Sequence, residues 1–246
     1  MNGRVDRLAE KAGWLAAART AARVIVFRVS QAELVELNGR HLTIGLACAW
    51  LVGIGRYWDN PRVGLLQHLG IGSVVYVFVL SCFLWLIVWP LRPKHWSYFR
   101  VLTFVSLVSP PAVLYAIPVE KFISLDAANE INALFLAIVA SWRVALLVFF
   151  LRRLSELGGF SITVATTLPL TLIVVTLSVL NLDKVVFDLM GGRIDPSLND
   201  AAYGVLMLLS WLSILLFIPL VVCYLVLIVE RLVRARQVLS PKNDEK

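Results

Sequence analysis

Apolar runs dominate the chain, and polar residues gather in the short stretches between them. The runs are His41 to Gly55, Gly70 to Leu91, Val101 to Pro118, Ile131 to Leu151, Phe160 to Leu182 and Tyr203 to Val229. Apart from the first, each approaches or exceeds the ~20 residues that carry an α-helix across a bilayer. The first is short: its stretch LTIGLACAWLVGIG falls below that length. The pattern predicts an all-α, polytopic transmembrane helical bundle with six spans.

The first 40 residues differ. Val5, Leu8, Ala12 and Leu15 recur near the helical period, and Arg4, Arg7, Lys11, Arg19 and Arg23 space out a basic face. This predicts an N-terminal amphipathic helix, with Trp14 suited to a membrane interface. Two placements fit it equally: lying on an anionic leaflet, or docked on the bundle or on a partner protein. The organisation read from the chain is a cytoplasmic amphipathic segment over 1–40, a six-helix membrane domain over 41–229, and a basic, polar cytoplasmic tail over 230–246. Residues 1–23 hold many charges and no compact apolar core, so the first span is expected to act as the targeting signal.

Charge orients the bundle. With the N-terminus inside, the inner segments 1–40, 92–100, 152–159 and 230–246 carry 17 of the 23 Lys and Arg residues, and the outer segments carry 5. That asymmetry predicts both termini inside. Omitting the weak first span would strand the seven basic residues of 1–40 on the outer side. The net charge of +7 thus reads as membrane topology. No helix-turn-helix, RNP or zinc pattern accompanies it, so the expected partner is the lipid bilayer, with anionic lipids at the N-terminal segment, and no nucleic acid. A protein partner or a second copy of the chain is compatible with the same pattern. The composition, 59% hydrophobic, suits a bacterial inner membrane protein.

Chemistry-bearing residues are sparse. Cys48, Cys82 and Cys223 fall inside apolar runs and lack metal-ligand spacing, so packing is their expected role. His41, His68 and His95 lie at span ends or in loops without a second histidine at helical spacing. No nucleophile elbow, zinc-protease or P-loop motif occurs, and the spans contain no pair of carboxylates. No cofactor, metal or catalytic residue is expected.

The exception is Arg143, alone within the uncharged run Ile131 to Leu151. A guanidinium at that depth costs about 2.5–3.5 kcal/mol even on lenient insertion scales, so something must offset it. Prolines interrupt three spans, at Pro110 and Pro111, at Pro169 and at Pro219. Each removes a backbone donor and leaves a carbonyl open one turn earlier. Thr163, Thr167 and Thr171 share a helix face in the fifth span, and Ser178 continues it. Such a stripe packs helices together more often than it lines a path. The candidate intramembrane polar site is therefore Arg143 with Pro110, Pro111, Thr163, Thr167 and Thr171. The alternative is that Arg143 snorkels to the inner headgroups, about 12 Å away at helical rise.

Two outer loops complete the reading. In 53–64, Tyr57 and Trp58 suit an aromatic belt, Asn60-Pro61 signals a turn, and Arg56 is spaced to pair with Asp59. The loop 183–202 holds Asp183, Asp188, Asp195 and Asp200 without calcium-loop order, and a short interfacial helix is expected over Val185 to Met190.

The stretches WSYFRVLTFVSLVSPPAVLYAIP, 96–118, and SWRVALLVFFLRRLS, 141–155, resemble the bacterial branch of the Yip1-domain membrane proteins. There too an aromatic-rich inner loop leads into a proline-bearing span, followed by a Trp-led span. The chain departs from that family in having six expected spans rather than five and no Asp-Leu-Tyr-Gly-Pro signature. The resemblance implies a compact helical bundle without known catalysis, and no trafficking or GTPase-binding role is carried over. The first functional expectation is a non-enzymatic, Yip1-like organising or interaction protein. The second is a small transporter or channel subunit with its polar site at Arg143, and the third an intramembrane enzyme. The direction in which Arg143 points separates the first two.

Overall fold

The computed structural model describes residues 2–57, 64–191 and 201–239. Ten α-helices make up the described fold, and no strand occurs among the described residues: α1 (Asn2–Ile25), α2 (Gln31–Val35), α3 (Gly39–Tyr57), α4 (Leu65–His68), α5 (Ile71–Val88), α6 (Tyr98–Leu107), α7 (Leu125–Leu154), α8 (Gly159–Val179), α9 (Asp183–Gly191) and α10 (Ala201–Leu239). The all-helical expectation holds. The helix foreseen over Val185 to Met190 is α9.

Four segments are long and apolar enough to cross a membrane: Ile71–Leu91, Leu125–Leu154, Gly159–Val179 and Ala202–Arg234. Tyr98–Leu107 and Pro110–Lys121 make a fifth if taken as one span bent by 41°. Helix α3 is not among them, because Arg40, His41 and Arg56 sit within its 19 residues.

The centre of the bundle is α6. Every residue from Val101 to Ser109 is buried, and Phe104 stacks face to face on Phe150 of α7 at 4.0 Å. Around α6 stand α3 and α5. Helix α3 approaches it through small residues: Gly45, Ala49 and Gly53 are spaced by one turn each, and Ala49 is buried. The approach is close, since a Cβ on Gly45 would lie 2.1 Å from Ser106 Oγ. Helix α8 joins α7 to α10, and α10 presents most of its apolar surface outward, as a helix facing hydrocarbon would.

The connections gather at two ends. One end holds α2, the segment 92–97 and the α7–α8 turn: the Lys94 amide donates to Ser155 O, Lys94 pairs with Glu156 at 2.6 Å, and Arg100 Nε donates to Val35 O. The other end holds α4, α9 and the 3-10 segment Pro110–Ala116. There Gly70, at φ +67°, lies against α3, where a Cβ would meet Trp50 O at 2.6 Å. A left-handed backbone in that space admits only glycine comfortably.

Helix α1 meets the bundle on a face other than that of Ala12 and Leu15. Ala12 and Leu15 are exposed, and the helix docks instead by Ala17, Ala21 and Val24 against α3 and α6. Its end is held at α7, where Trp142 Nε1 donates to Ile25 O and Phe27 packs edge-on to Phe149. The side chains of residues 4–11 and the tail from 240 on lie outside the described residues, as do Trp58, Asp59, Asn60-Pro61, Asp195 and Asp200.

Candidate functional site

The prolines shape the site first. Pro110 and Pro111 cannot donate to the carbonyls of Ser106 and Leu107, so the helix tightens after α6. The Ser109 amide turns to Ser106 O, and the Ala112 amide, which in a continuous helix would reach Val108 O, bonds Ser109 O at 3.0 Å. Val108 O is left for a donor from elsewhere. Arg143 Nε supplies it at 3.4 Å.

Side chains lean toward the N-terminus of their helix, and α7 begins at the α9 end of the bundle. Arg143 accordingly reaches away from the α2 end, where the shorter route to headgroups was expected. It enters a partly enclosed cavity of about 280 Å³ between α3, α5, α7 and α9.

Arg56, at the end of α3, lines the same cavity. Its Nη2 donates to Leu189 O of α9, and its guanidinium lies over the Tyr115 ring, 5.2 Å from the centroid. Tyr115 is within electrostatic reach of both arginines. Ser73, Tyr76, Gln67 and Ser109 add hydroxyl and amide groups to the wall, and none of the described lining residues is acidic. Among the described residues no carboxylate pairs with Arg143. Two guanidiniums, two phenols, two serines and an amide form a donor-rich wall suited to an anion.

A second, apolar cavity of about 180 Å³ adjoins the first. The two share Tyr76, Val77, Ser109, Tyr115, Arg143 and Met190. Its far wall comprises Leu80, Leu84 and Phe104, with Ala140, Leu170 and Ile173 at its rim. The last three are exposed.

The structure brings Arg143, Pro110 and Pro111 together through Val108. It does not bring the threonines to Arg143. Thr163 Oγ1 donates to Gly159 O and Thr167 Oγ1 to Thr163 O, so both are satisfied within α8. Thr171 is buried without a hydrogen bond to Arg143. Pro169 lines the apolar cavity. Arg56, Tyr76 and Tyr115 are site residues that the sequence reading passed over. Arg56 stands in a segment read as an anchored turn, and Tyr115 follows the Pro-Pro break. A second arginine in the last turn of a small-residue helix is the available signal.

The three cysteines are free, and the described residues contain no cluster of His, Cys, Asp or Glu able to hold a metal ion. No family model, curated protein or solved structure matches the chain.

Proposed function

We propose that this chain is a multi-pass membrane protein that binds an anion in the cavity between Arg56 and Arg143. This places it nearer the transporter class than the organising role. The single observation that carries the reading is that Arg143, with which no described carboxylate pairs, lines a cavity whose described wall has no acidic residue. A partly desolvated cation favours an anion by weakening the competition of water. A purely structural arginine would lie on a dry interface with its donors satisfied. Arg143 instead makes one hydrogen bond and turns the rest of its fork toward the cavity.

Six spans support the reading best. Helix α3 starts at the α2 end beside Arg40 and reaches α9 through Arg56, so it traverses the bundle. Its 19 residues measure about 28 Å, close to a ~30 Å hydrocarbon core. The α2 end carries the basic segments and so faces the cytoplasm, and the cavity opens near the opposite face. A bacterial inner membrane is the location we infer from that charge bias.

The reading is tested with protein purified in a neutral maltoside detergent. Inorganic phosphate or sulfate should raise the unfolding temperature at constant ionic strength, as any ligand selective for the folded state does. Arg143→Gln should abolish the rise. An equal response in parent and variant, or no response in either, rejects the anion site.

A further inference from the structure

We infer that the anion is the headgroup of a single-chain anionic amphiphile, whose chain enters sideways from the bilayer and lies in the apolar cavity beside Arg143. The inference rests on the anion site proposed above and deepens it. A soluble anion needs only the polar cavity. Here the polar cavity adjoins an apolar one, and Arg143, Tyr76 and Tyr115 line both. The junction of charge and hydrocarbon in the walls mirrors the junction of head and chain in the ligand.

The apolar cavity has residues of the outer surface of the bundle in its lining. Helix α5 packs on α3, α6 and α8, while α7 packs on α8 and on the 3-10 segment after α6, leaving the apolar cavity between α5 and α7. Its rim residues Tyr76, Leu170 and Ile173 are exposed by 43, 38 and 37%, on the surface that faces lipid. A chain entering there needs no passage through water. Pro169, inside the continuous helix α8, lines this cavity too.

Size sets how much chain fits. An apolar cavity of about 150 Å³ takes one benzene, so the 180 Å³ here takes about six or seven carbons. The remainder of a longer chain would stay in the bilayer. Each methylene that is buried should tighten binding about three- to fourfold. The gain should therefore stop near hexyl or heptyl.

The probes are inorganic phosphate and the n-alkyl phosphates from ethyl to decyl, titrated into the full chain in maltoside detergent and read by thermal shift and native mass spectrometry. We expect affinity to rise with chain length and then level off. Ala140→Phe fills the apolar cavity from its exposed rim; it should retain inorganic phosphate binding and lose the dependence on chain length. Arg143→Gln should weaken every member of the series. If inorganic phosphate binds and chain length adds nothing, the amphiphile inference fails and the anion site stands. If the chain-length gain survives Ala140→Phe unchanged, the chain lies elsewhere and the inference is overturned. If neither phosphate nor any alkyl phosphate binds, the anion site fails as well.

Discussion

Arg143 Nε and the carbonyl of Val108 lie 3.4 Å apart, joining the middle of α7 to the point where α6 breaks. The acceptor is open because Ala112 has turned its amide to Ser109 O in the tight turn that Pro110 and Pro111 impose. A costly charge and an orphaned carbonyl thus offset one another. The same contact holds the rest of the guanidinium in the wall of two cavities.

Arg143→Leu removes a charge whose insertion is unfavourable, but leaves Val108 O buried without a donor, at about 1–3 kcal/mol. In the folded bundle the second effect should win, and the unfolding temperature in detergent should fall. Arg143→Lys should recover little, since an ammonium does not reproduce the planar fork that serves Val108 O and the cavity together. Unchanged thermal stability in Arg143→Leu would show that the contact contributes nothing.

The α3–α6 crossing gives a second expectation. A Cβ on Gly45 would meet Ser106 at Oγ, at Cβ and at its backbone carbon, at 2.1, 2.7 and 2.8 Å. A side chain can rotate away, but the backbone of the most buried helix cannot. Gly45→Ala should cost about 1–3 kcal/mol, the range for overpacking a filled interior. Gly72→Ala, in α5 with open space around the added methyl, is the control and should hold or slightly raise the melting temperature.

Much of this was legible in the sequence, and the limits have physical causes. Long uncharged runs report α5, α7, α8 and α10 because hydrocarbon demands them, and a lone arginine reports a polar contact because its burial is costly. Arg56 was not legible: at a helix end it resembles an interfacial anchor, and its place in one cavity with Arg143 is made by tertiary packing. The threonine stripe misled because a helical hydroxyl can bond its own preceding turn, as Thr163 and Thr167 do. The docking face of α1 was missed because Ala17 and Ala21 bury a surface that a hydrophobic pattern undervalues.

At the α2 end, Glu33 closes a capping box. Its carboxylate accepts from the Ser30 amide at 2.8 Å and from Ser30 Oγ at 2.7 Å, and it pairs with Arg23 of α1. The Ser30 hydrogen bonds, first the backbone one, hold its carboxyl below the usual carboxylate range, with a smaller contribution from Arg23. The folded state therefore favours the ionised form. Its contribution is present above the ordinary glutamate range and is lost as pH falls through the lowered value. Protection of the α2 amides, corrected for the intrinsic exchange rate at each pH, should fall on acidification through that window. Glu33→Gln should show lower protection at neutral pH and little further change on acidification. An identical acid response in parent and variant would assign the change to other groups.

Whether α3 crosses the membrane decides the topology, and two properties of the chain disagree about it. By composition α3 fails, because its ends carry Arg40, His41 and Arg56. By geometry it runs the height of the bundle, with Gly45 against Ser106 and Gly55 against Ala116, so it keeps pace with α6 and the turn that follows. Charges at the ends of a span are tolerated, since long side chains reach the headgroups; only charges at its centre are costly. Between Leu42 and Gly55 there are none. We expect α3 to cross. In a chain with its native cysteines replaced by serine, Arg19→Cys and Leu65→Cys place single thiols on exposed positions at opposite ends of α3. In intact cells a membrane-impermeant maleimide should label the thiol at position 65 and leave that at 19 unlabelled until the membrane is opened. Labelling of both from outside would place α3 on the surface, reduce the spans to five, and put the basic N-terminal segment on the same side as the α9 end.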